Sequence, residues 1–369
     1  MVFQIMRIAI DARAIFGQRA GKGEYVYQII KHLAKIDQKN QYFLYTRGNL
    51  SENFGANFSA RQLKLPSFFW HFFVWLDLKF RLKPDIYFAP TSYIISSLGV
   101  KNSVIMVPDL VAFLFPKEHL PAAVFLEKIF LKKALRKSRC VITISRSTRD
   151  DLIRLFSILP DKIQVIYLAA DQGSKKKASP VFLKKTREKY NLPSRFILSV
   201  GTLEPRKNLI RLLRAYRGLN MKECVLVLVG KKGWHYQEIF RQVRDLNLER
   251  CVRFLGYVPR EDLFALYHLA QIFVYPSLYE GFGLPPLEAM NCGTAVITSK
   301  TSSLPEVAGC ASILVNPRNT EELTRAMRLL LTNDILRAKL VRLGKIQAKK
   351  FSWEKTAREI YLCFKNLLK

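Results

Sequence analysis

The 369-residue sequence is short of acid: 29 Asp and Glu stand against 60 Lys and Arg, leaving a formal net charge of +31. A surface of that sign attracts phosphates, nucleic acid or an anionic bilayer, and composition alone does not choose among the three. Cysteine is sparse and nowhere paired in sequence. The six residues, at 140, 224, 251, 292, 310 and 363, form no C-x-x-C, so reduced structural thiols in a cytosolic protein are expected rather than a zinc ribbon or a disulfide framework. The five histidines, at 32, 71, 119, 235 and 268, have no metal-ligand spacing. No D-x-D pair is present to hold Mg²⁺, and neither a metal nor another cofactor is expected. A Walker lysine, a G-x-S-x-G elbow and a complete G-x-G-x-x-G are also missing, although "GKGEYV" at 21 to 26 matches the last in part. The most apolar stretch, "FFWHFFVWL" at 68 to 76, is far shorter than the ~20 residues a membrane-crossing helix requires. Met1 leads into "FQIMRIAIDAR", where Arg7 interrupts any signal-like core, so this start reads as a first strand and no export signal is expected.

What is present is alternation. Near-continuous apolar runs at 7–10, 42–46, 85–89, 103–107, 140–144 and 163–168 are separated by helical patterns, the first from about Gly23 with Tyr25, Ile29, Ile30, Leu33 and Ile36 at helical spacing. Apolar strands of this kind belong to parallel sheets covered by helices on both faces. The pattern lapses between 171 and 194, in "DQGSKKKASP", a short helical segment and "NLPSR", where a linker is expected. A second series follows at 196–200, 224–229, 252–256, 272–276, 295–299 and 312–315, and the chain is helical beyond 333. The expectation is α/β: a Rossmann-like domain over 1–175, a second over 190–350 and a C-terminal helix over 351–369 packing toward the first, with a ligand cleft between the strand C-terminal ends.

Two stretches of the second half carry chemistry. "SVGTLEPRKNLIRLLRAY" at 199 to 216 places Gly201, a turn through Pro205, and then Arg206 and Lys207 where a strand gives way to a helix. Outward N–H groups and two adjacent cations suit a diphosphate, although an exposed Arg-Lys pair on a basic protein is the plainer alternative. "YEGFGLPPLEAM" at 279 to 290 follows the strand at 272–276. Its glycines allow close backbone approach, the N–H groups of Phe282, Gly283 and Leu284 can donate to hydroxyl or phosphate oxygens, and Glu280 can accept from sugar hydroxyls. Glu288, in the first turns of the following helix, could do the same for a ribose diol, or simply face the helix dipole.

These motifs, with "SSLPEVAG" and, in the first half, "IDARAIFG…GKGEYVYQII", "PDIYFAP" and "VITISRSTRDDLI", resemble the retaining glycosyltransferases of family 4, which have the GT-B fold; the terminal "FSWEKTAREI" resembles that family's closing helix. The likeness is greatest to bacterial mannosyltransferase-like enzymes of surface-polysaccharide assembly. It implies transfer of a hexose, with retention and without metal, from a nucleotide-diphosphate sugar to a glycan or polyprenyl-diphosphate-linked acceptor. It further implies Arg206 and Lys207 on the donor diphosphate, Glu280 and the amides of Phe282, Gly283 and Leu284 on the donor sugar, Glu288 on the ribose, and the loop Gly21, Lys22 and Gly23 facing the diphosphate. Many relatives have a histidine before Asp109 on the acceptor side; here the residue is Pro108. An epimerase or phosphorylase of the same architecture, or a basic nucleic-acid-binding protein lacking a recognisable motif, are the alternatives.

Residues 61 to 83, "RQLKLPSFFWHFFVWLDLKFRLK", bracket Phe68, Phe69, Trp70, Phe72, Phe73 and Trp75 with Arg61, Lys64, Lys79, Arg81 and Lys83. Either the rings pack on the N-terminal sheet, or the stretch is a helix lying on an anionic bilayer, which would place the protein at the cytoplasmic face of a membrane. In "EKIFLKKALRKSR", Lys128, Lys132 and Arg136 stack at i,i+4 spacing, the pattern of a solvated face or of an anionic partner.

Overall fold

A computed structural model describes residues 5–16, 21–50, 52–116, 121–171, 179–221 and 223–368, without the side chains of 67, 68 and 121–123. The lysine-rich core of the expected linker and the Phe68 ring therefore lie outside the described residues. The chain divides into two compact units. Unit 1 takes Met1–Pro116, Leu120–Leu168 and Ser352–Lys369, and unit 2 takes Ala169–Phe351 with Lys117–His119.

Unit 1 is built on β1 (Arg7–Asp11), β2 (Gln41–Thr46), β3 (Phe58–Gln62), β4 (Ile86–Ala89), β5 (Ser103–Val107), β6 (Cys140–Thr143) and β7 (Ile163–Val165), in the order β3-β2-β1-β4-β5-β6-β7. Every pairing is parallel. The central strands β4, β5 and β6 are buried throughout, which is why they read as unbroken apolar runs. β3, "FSARQ", is an edge strand with two exposed residues and no apolar run, and periodicity passes over it. Unit 2 repeats the plan with β8 (Phe196–Val200), β9 (Val225–Val229), β10 (Val252–Gly256), β11 (Ile272–Tyr275), β12 (Ala295–Ser299) and β13 (Ser312–Val315), in the order β10-β9-β8-β11-β12-β13. These pairings are parallel too. Both orders are those of doubly wound Rossmann-like sheets, with the strand order reversing beside β1 and beside β8.

The C-terminal helix Trp353–Asn366 belongs to unit 1. Ser352 caps it by accepting from Lys355 N–H. It buries Trp353, Ile360, Cys363 and Phe364, with Phe364 edge-on to Phe88 of β4 at 5.5 Å. All six cysteines are free; four are buried, and Cys363 Sγ lies 3.3 Å from Cys140 Sγ.

The aromatic stretch forms the helix Ser67–Leu76, continued by a π-helical turn over Asp77–Leu82. Packing on the sheet accounts for only part of it. Trp70 and Val74 are fully buried, whereas Phe69, Phe72 and Phe73 are 53%, 49% and 45% exposed and Phe80 is 59% exposed. Lys79, Arg81 and Lys83 are exposed beside them. The helix is thus amphipathic in an unusual sense, with one aromatic face in the core and another in solvent. Lys128, Lys132 and Arg136 are exposed as well. Among the described residues, no helix is long and apolar enough to cross a membrane.

At the C-terminal edge of unit 2, the loops after β8 and β9 are in backbone contact. Gly201 N–H donates to Val229 O at 2.8 Å, and Leu203 N–H to Lys231 O at 2.9 Å. Gly230 has φ +155°, and a Cβ there would stand 1.9 Å from Gly201 O, a backbone atom that cannot swing aside. Gly230→Ala should therefore lower stability by about 3 kcal/mol, from strain and the displaced loop together. Thermal unfolding of the variant measures this, and an unchanged Tm would mean that the loop has room to move.

Candidate active site

The reversal of strand order in unit 2 lies between β8 and β11, and the loops leaving these two neighbouring strands carry the charged residues. After β8 the chain passes Gly201 and makes a 3₁₀ turn, Pro205–Lys207, before the helix Leu209–Leu219. After β11 it runs through Ser277 and Glu280 to the helix Leu284–Cys292. The loops are tied by Leu278 N–H donating to Arg206 O at 2.9 Å, and by Asn208 Nδ2 donating to Pro276 O at 3.0 Å and Pro317 O at 2.6 Å.

Between them lies a buried four-charge cluster. Lys207 Nζ is 2.6 Å from Glu280 Oε1, and Arg206 Nη1 is 2.9 Å from Glu280 Oε2. Arg206 Nη2 is 2.5 Å from Glu204 Oε1, and Nη1 also donates to Tyr279 O at 2.7 Å. The Tyr275 hydroxyl donates to Glu280 Oε1 at 2.9 Å and accepts from Lys207 Nζ at 2.7 Å. Glu204, Lys207 and Glu280 are each under one tenth exposed. Charges buried this deeply persist only when paired and hydrogen-bonded, a condition met here. Gly201 makes room for the lysine: a Cβ there would come within 3.3 Å of Lys207 Cε.

Burial is the largest single influence on Glu280 and would raise its pKa, but the nearby Arg206 and Lys207 together outweigh it and hold the carboxyl down at about 2. Lys207 is lowered from the ordinary lysine range, by burial first and by Arg206 beside it, with Glu280 acting in the opposite sense. Tyr275 is pushed well above its usual range by burial and then by Glu280, so its hydroxyl keeps its proton. The cluster therefore keeps Glu280 ionised and the Tyr275 hydroxyl protonated. Its chemistry is electrostatic: a preformed field at a strand-order reversal, suited to an anion or to charge that develops on a leaving group.

The Glu280 loop is held by its backbone. Glu280 N–H donates to Ser302 Oγ at 3.0 Å, while the Ser303 hydroxyl donates to Glu280 O at 2.9 Å and Phe282 O at 2.6 Å. Gly283, at φ +117°, caps the helix that begins at Leu284, and the first N–H groups of a helix have no partner within it. Phe282 is buried edge-on to Phe351 at 5.7 Å. Glu288 lies one turn into this helix and is held separately, accepting from Tyr267 Oη at 3.2 Å and facing Arg260 Nη2 at 3.5 Å. Arg260 in turn pairs with Asp171 at 2.5 Å.

The structure thus brings Gly201, Arg206, Lys207 and Glu280 together, with Phe282, Gly283 and Leu284 in the loop beyond and Glu288 partnered apart from the cluster. Sequence reasoning passed over Glu204, Tyr275, Ser302 and Ser303. Glu204 was detectable, since it stands within the motif two residues before Arg206.

The remaining predicted residues belong to unit 1. Gly21 precedes the helix Lys22–Ile36, which carries Lys22 and Gly23. Asp109 Oδ1 accepts from Val111 N–H at 3.2 Å. Lys22 and Asp109 act on one group that sequence reasoning missed, Glu127, whose carboxyl is pushed up to about 7 by burial foremost, with Lys22 opposing and Asp109 adding. It sits on the helix whose lysines suggested a solvated face or an anionic partner. Among the described residues no group of three or more His, Cys, Asp or Glu could hold a metal ion.

Two Rossmann-like units define the GT-B architecture, and sequence comparison places the chain within it. Residues 182–347 match Glycosyl transferases group 1, and residues 20–172 match Glycosyltransferase Family 4. O-antigen chain mannosyltransferase B of Escherichia coli is 36% identical over 289 residues, which are 77% of this chain and 75% of that protein. Serotype-specific mannosyltransferase WbdA of Escherichia coli is 34% identical over 274 residues, 72% of this chain and 34% of that longer protein. Among solved structures, a sucrose-phosphate synthase from Thermosynechococcus elongatus matches with a TM-score of 0.77 and 21% identity over 98% of both chains. Anabaena HepE, solved with UDP and glucose, matches with a TM-score of 0.79 and 18% identity over 98% of this chain and 100% of its own; at such identities the likeness concerns the fold. The chain belongs to the group 1 glycosyl transferases.

Because Glu280 is depressed, the stability it contributes is complete above the unfolded carboxyl pKa of about 4.3 and is lost as pH falls through about 2. Glu280→Gln should cost about 3 kcal/mol at pH 7, where it leaves two buried cations with one carboxylate. The difference in Tm between wild type and variant should shrink between pH 5 and pH 2. A gap independent of pH over that range would show that Glu280 is not the paired carboxylate described here.

Proposed function

We propose that this glycosyltransferase moves a hexose, mannose-like in preference, from a nucleotide-diphosphate sugar to a glycan or lipid-linked acceptor in cell-surface polysaccharide assembly, with retention of configuration and without a metal ion. The observation that carries the reading is the Arg206, Lys207 and Glu280 cluster at the strand-order reversal of unit 2. An ammonium has three donors, and the described bonds of Lys207 use two, to Tyr275 and Glu280. The third can go to a diphosphate oxygen, where negative charge accumulates as the sugar departs. Glu280, held ionised, accepts from sugar hydroxyls. Glu288 is assigned to the ribose, the loop Gly21 to Gly23 to the diphosphate and Asp109 to the acceptor side. Retention and the choice of mannose follow the resemblance to family 4 and the names of the relatives.

Lys207→Ala or Arg206→Ala should reduce turnover by about two orders of magnitude, the effect of losing roughly 3 kcal/mol of transition-state stabilisation. In Lys207→Ala, Arg206 still faces both Glu204 and Glu280, so circular dichroism should be unchanged; Arg206→Ala leaves the buried Glu204 without its cation, so its turnover is read only on protein that circular dichroism and Tm show to be folded. Assays of a nucleotide-sugar panel, with NMR of the product's anomeric proton and with or without EDTA, test the reading. Near-normal turnover in both variants, an inverted product, or loss of activity in EDTA that Mg²⁺ restores would each remove part of it.

A lipid-linked acceptor also gives a role to the exposed rings Phe69, Phe72, Phe73 and Phe80 beside the exposed Lys79, Arg81 and Lys83. Each cation near an anionic bilayer adds about 1 kcal/mol of attraction, and the apolar rings can enter the headgroup boundary. The protein is read as peripheral, at the cytoplasmic face of the membrane. Sedimentation with anionic vesicles should deplete it from solution, more weakly as salt rises. Lys79→Glu/Arg81→Glu/Lys83→Glu should abolish this, and equal binding to neutral vesicles would contradict it.

A further inference from the structure

On the β2 and β3 side of the strand-order reversal of unit 1, the neighbouring parallel strands β1, β2 and β3 are each followed by a cation. Arg13 follows β1 by two residues, Arg47 directly follows β2, and Lys64 follows β3 by two. The three line one cavity of about 850 Å³ with Phe16, Leu65 and Pro66, and no carboxylate is among the described lining residues. Arg13 is locked: its Nη2 is 2.6 Å from Oδ2 of the fully buried Asp11, its Nη1 is 2.6 Å from His71 Nε2, and its guanidinium lies 4.1 Å from the centre of the Trp70 ring. Arg47 and Lys64 are exposed, and neither has an ion-pair partner among the described residues. The turn presenting Arg47 is built, since Thr46 Oγ1 donates to Gly48 O at 3.0 Å and accepts from Gly48 N–H at 3.3 Å. Phe16, 53% exposed, lies against that turn: a Cβ on Gly48 would come within 2.0 Å of Phe16 Cε2.

We propose that this cavity binds a diphosphate carried on a prenyl chain, the lipid-linked end of the acceptor, with Arg47 and Lys64 as the responsive cations and Arg13 as the fixed one. Two exposed, unpaired cations beside an Arg13 that Asp11 already answers suit an oxyanion of more than one charge. Phe16, Leu65 and Pro66 supply the apolar wall that an inorganic phosphate would not need. Pro66 immediately precedes the helix Ser67–Leu76 with its exposed phenylalanines, so the chain leaving the diphosphate has an apolar path beside the site. The inference rests on the lipid-linked acceptor reading above and adds the residues that would hold its charged group.

The test is titration calorimetry with farnesyl diphosphate, inorganic diphosphate and farnesol. It uses wild type, Arg47→Ala/Lys64→Ala, and Lys207→Ala, the last to reveal any contribution from the cations of unit 2. Arg13 is left in place because its removal would strand the buried Asp11. The double variant changes two exposed, unpaired side chains, and a wild-type Tm confirms its fold. Farnesyl diphosphate should bind wild type and Lys207→Ala alike and the double variant at least tenfold more weakly, while farnesol should not bind measurably. Equal affinity in wild type and the double variant overturns the site. Inorganic diphosphate binding as tightly as farnesyl diphosphate overturns the prenyl assignment and makes the cavity one for free phosphates. Because no donor is present, intact binding alongside absent turnover would count against the transfer reading alone.

Discussion

The organising constraint of unit 2 is the burial of two cations and two carboxylates in contact. Each ion taken out of water costs several kcal/mol, and the cost is offset only where geometry leaves none of them unanswered. Arg206 meets both Glu204 and Glu280, and Lys207 meets Glu280 and the Tyr275 hydroxyl. Much of the surrounding structure serves that geometry. The glycines after β8 and β9 let two loops close on each other above the lysine stem, and Ser302 and Ser303 fix the backbone that presents Glu280. A site made this way is rigid before any ligand arrives, the condition under which fixed charges act on a reaction without reorganising during it.

Most of the fold was legible because burial writes itself into composition. Strands covered on both faces must be apolar throughout, so β4, β5, β6, β11 and β12 stand out as runs of Val, Ile, Phe, Tyr and Ala. β3 escaped for the converse reason: an edge strand half in water carries Ser, Arg and Gln, which no period marks. The candidate site was legible as far as strand ends reveal it. Arg206, Lys207 and Glu280 could each be placed after a strand on the side of a ligand cleft, but that their two strands are neighbours and that Glu280 lies on both cations could not. Pairing of that kind depends on how two loops fold over, and loop geometry leaves little trace in residue spacing. Glu127 was hidden differently, on a helix where flanking lysines mask a carboxyl that the fold removes from water.

The aromatic helix shows where composition underdetermines structure. Nine residues containing seven aromatic rings cannot all enter one core from one helix, since only one stripe of a helix faces a given sheet. Trp70 and Val74 take the inward positions, and Phe69, Phe72 and Phe73 are left outside by the helical period. The exposed rings are a consequence of having more aromatics than the inward stripe can hold, and large exposed apolar groups clustered in this way mark an interaction surface.

The helix Trp353–Asn366 completes a unit whose other parts lie almost two hundred residues earlier. A polypeptide emerges from the ribosome N-terminus first and domains fold as units during synthesis. Throughout translation of unit 2, the first-made sheet therefore waits without the partner that buries Phe364 against Phe88 and supplies Thr356 Oγ1 to Tyr167 O at 2.7 Å. The nascent chain carries an uncovered apolar face for that interval, a surface that chaperones and proteases read as unfinished. Loss of the last few turns by a premature stop would make that interval permanent, so quality control has a means of removing truncated products even though the charged cluster of unit 2 is complete.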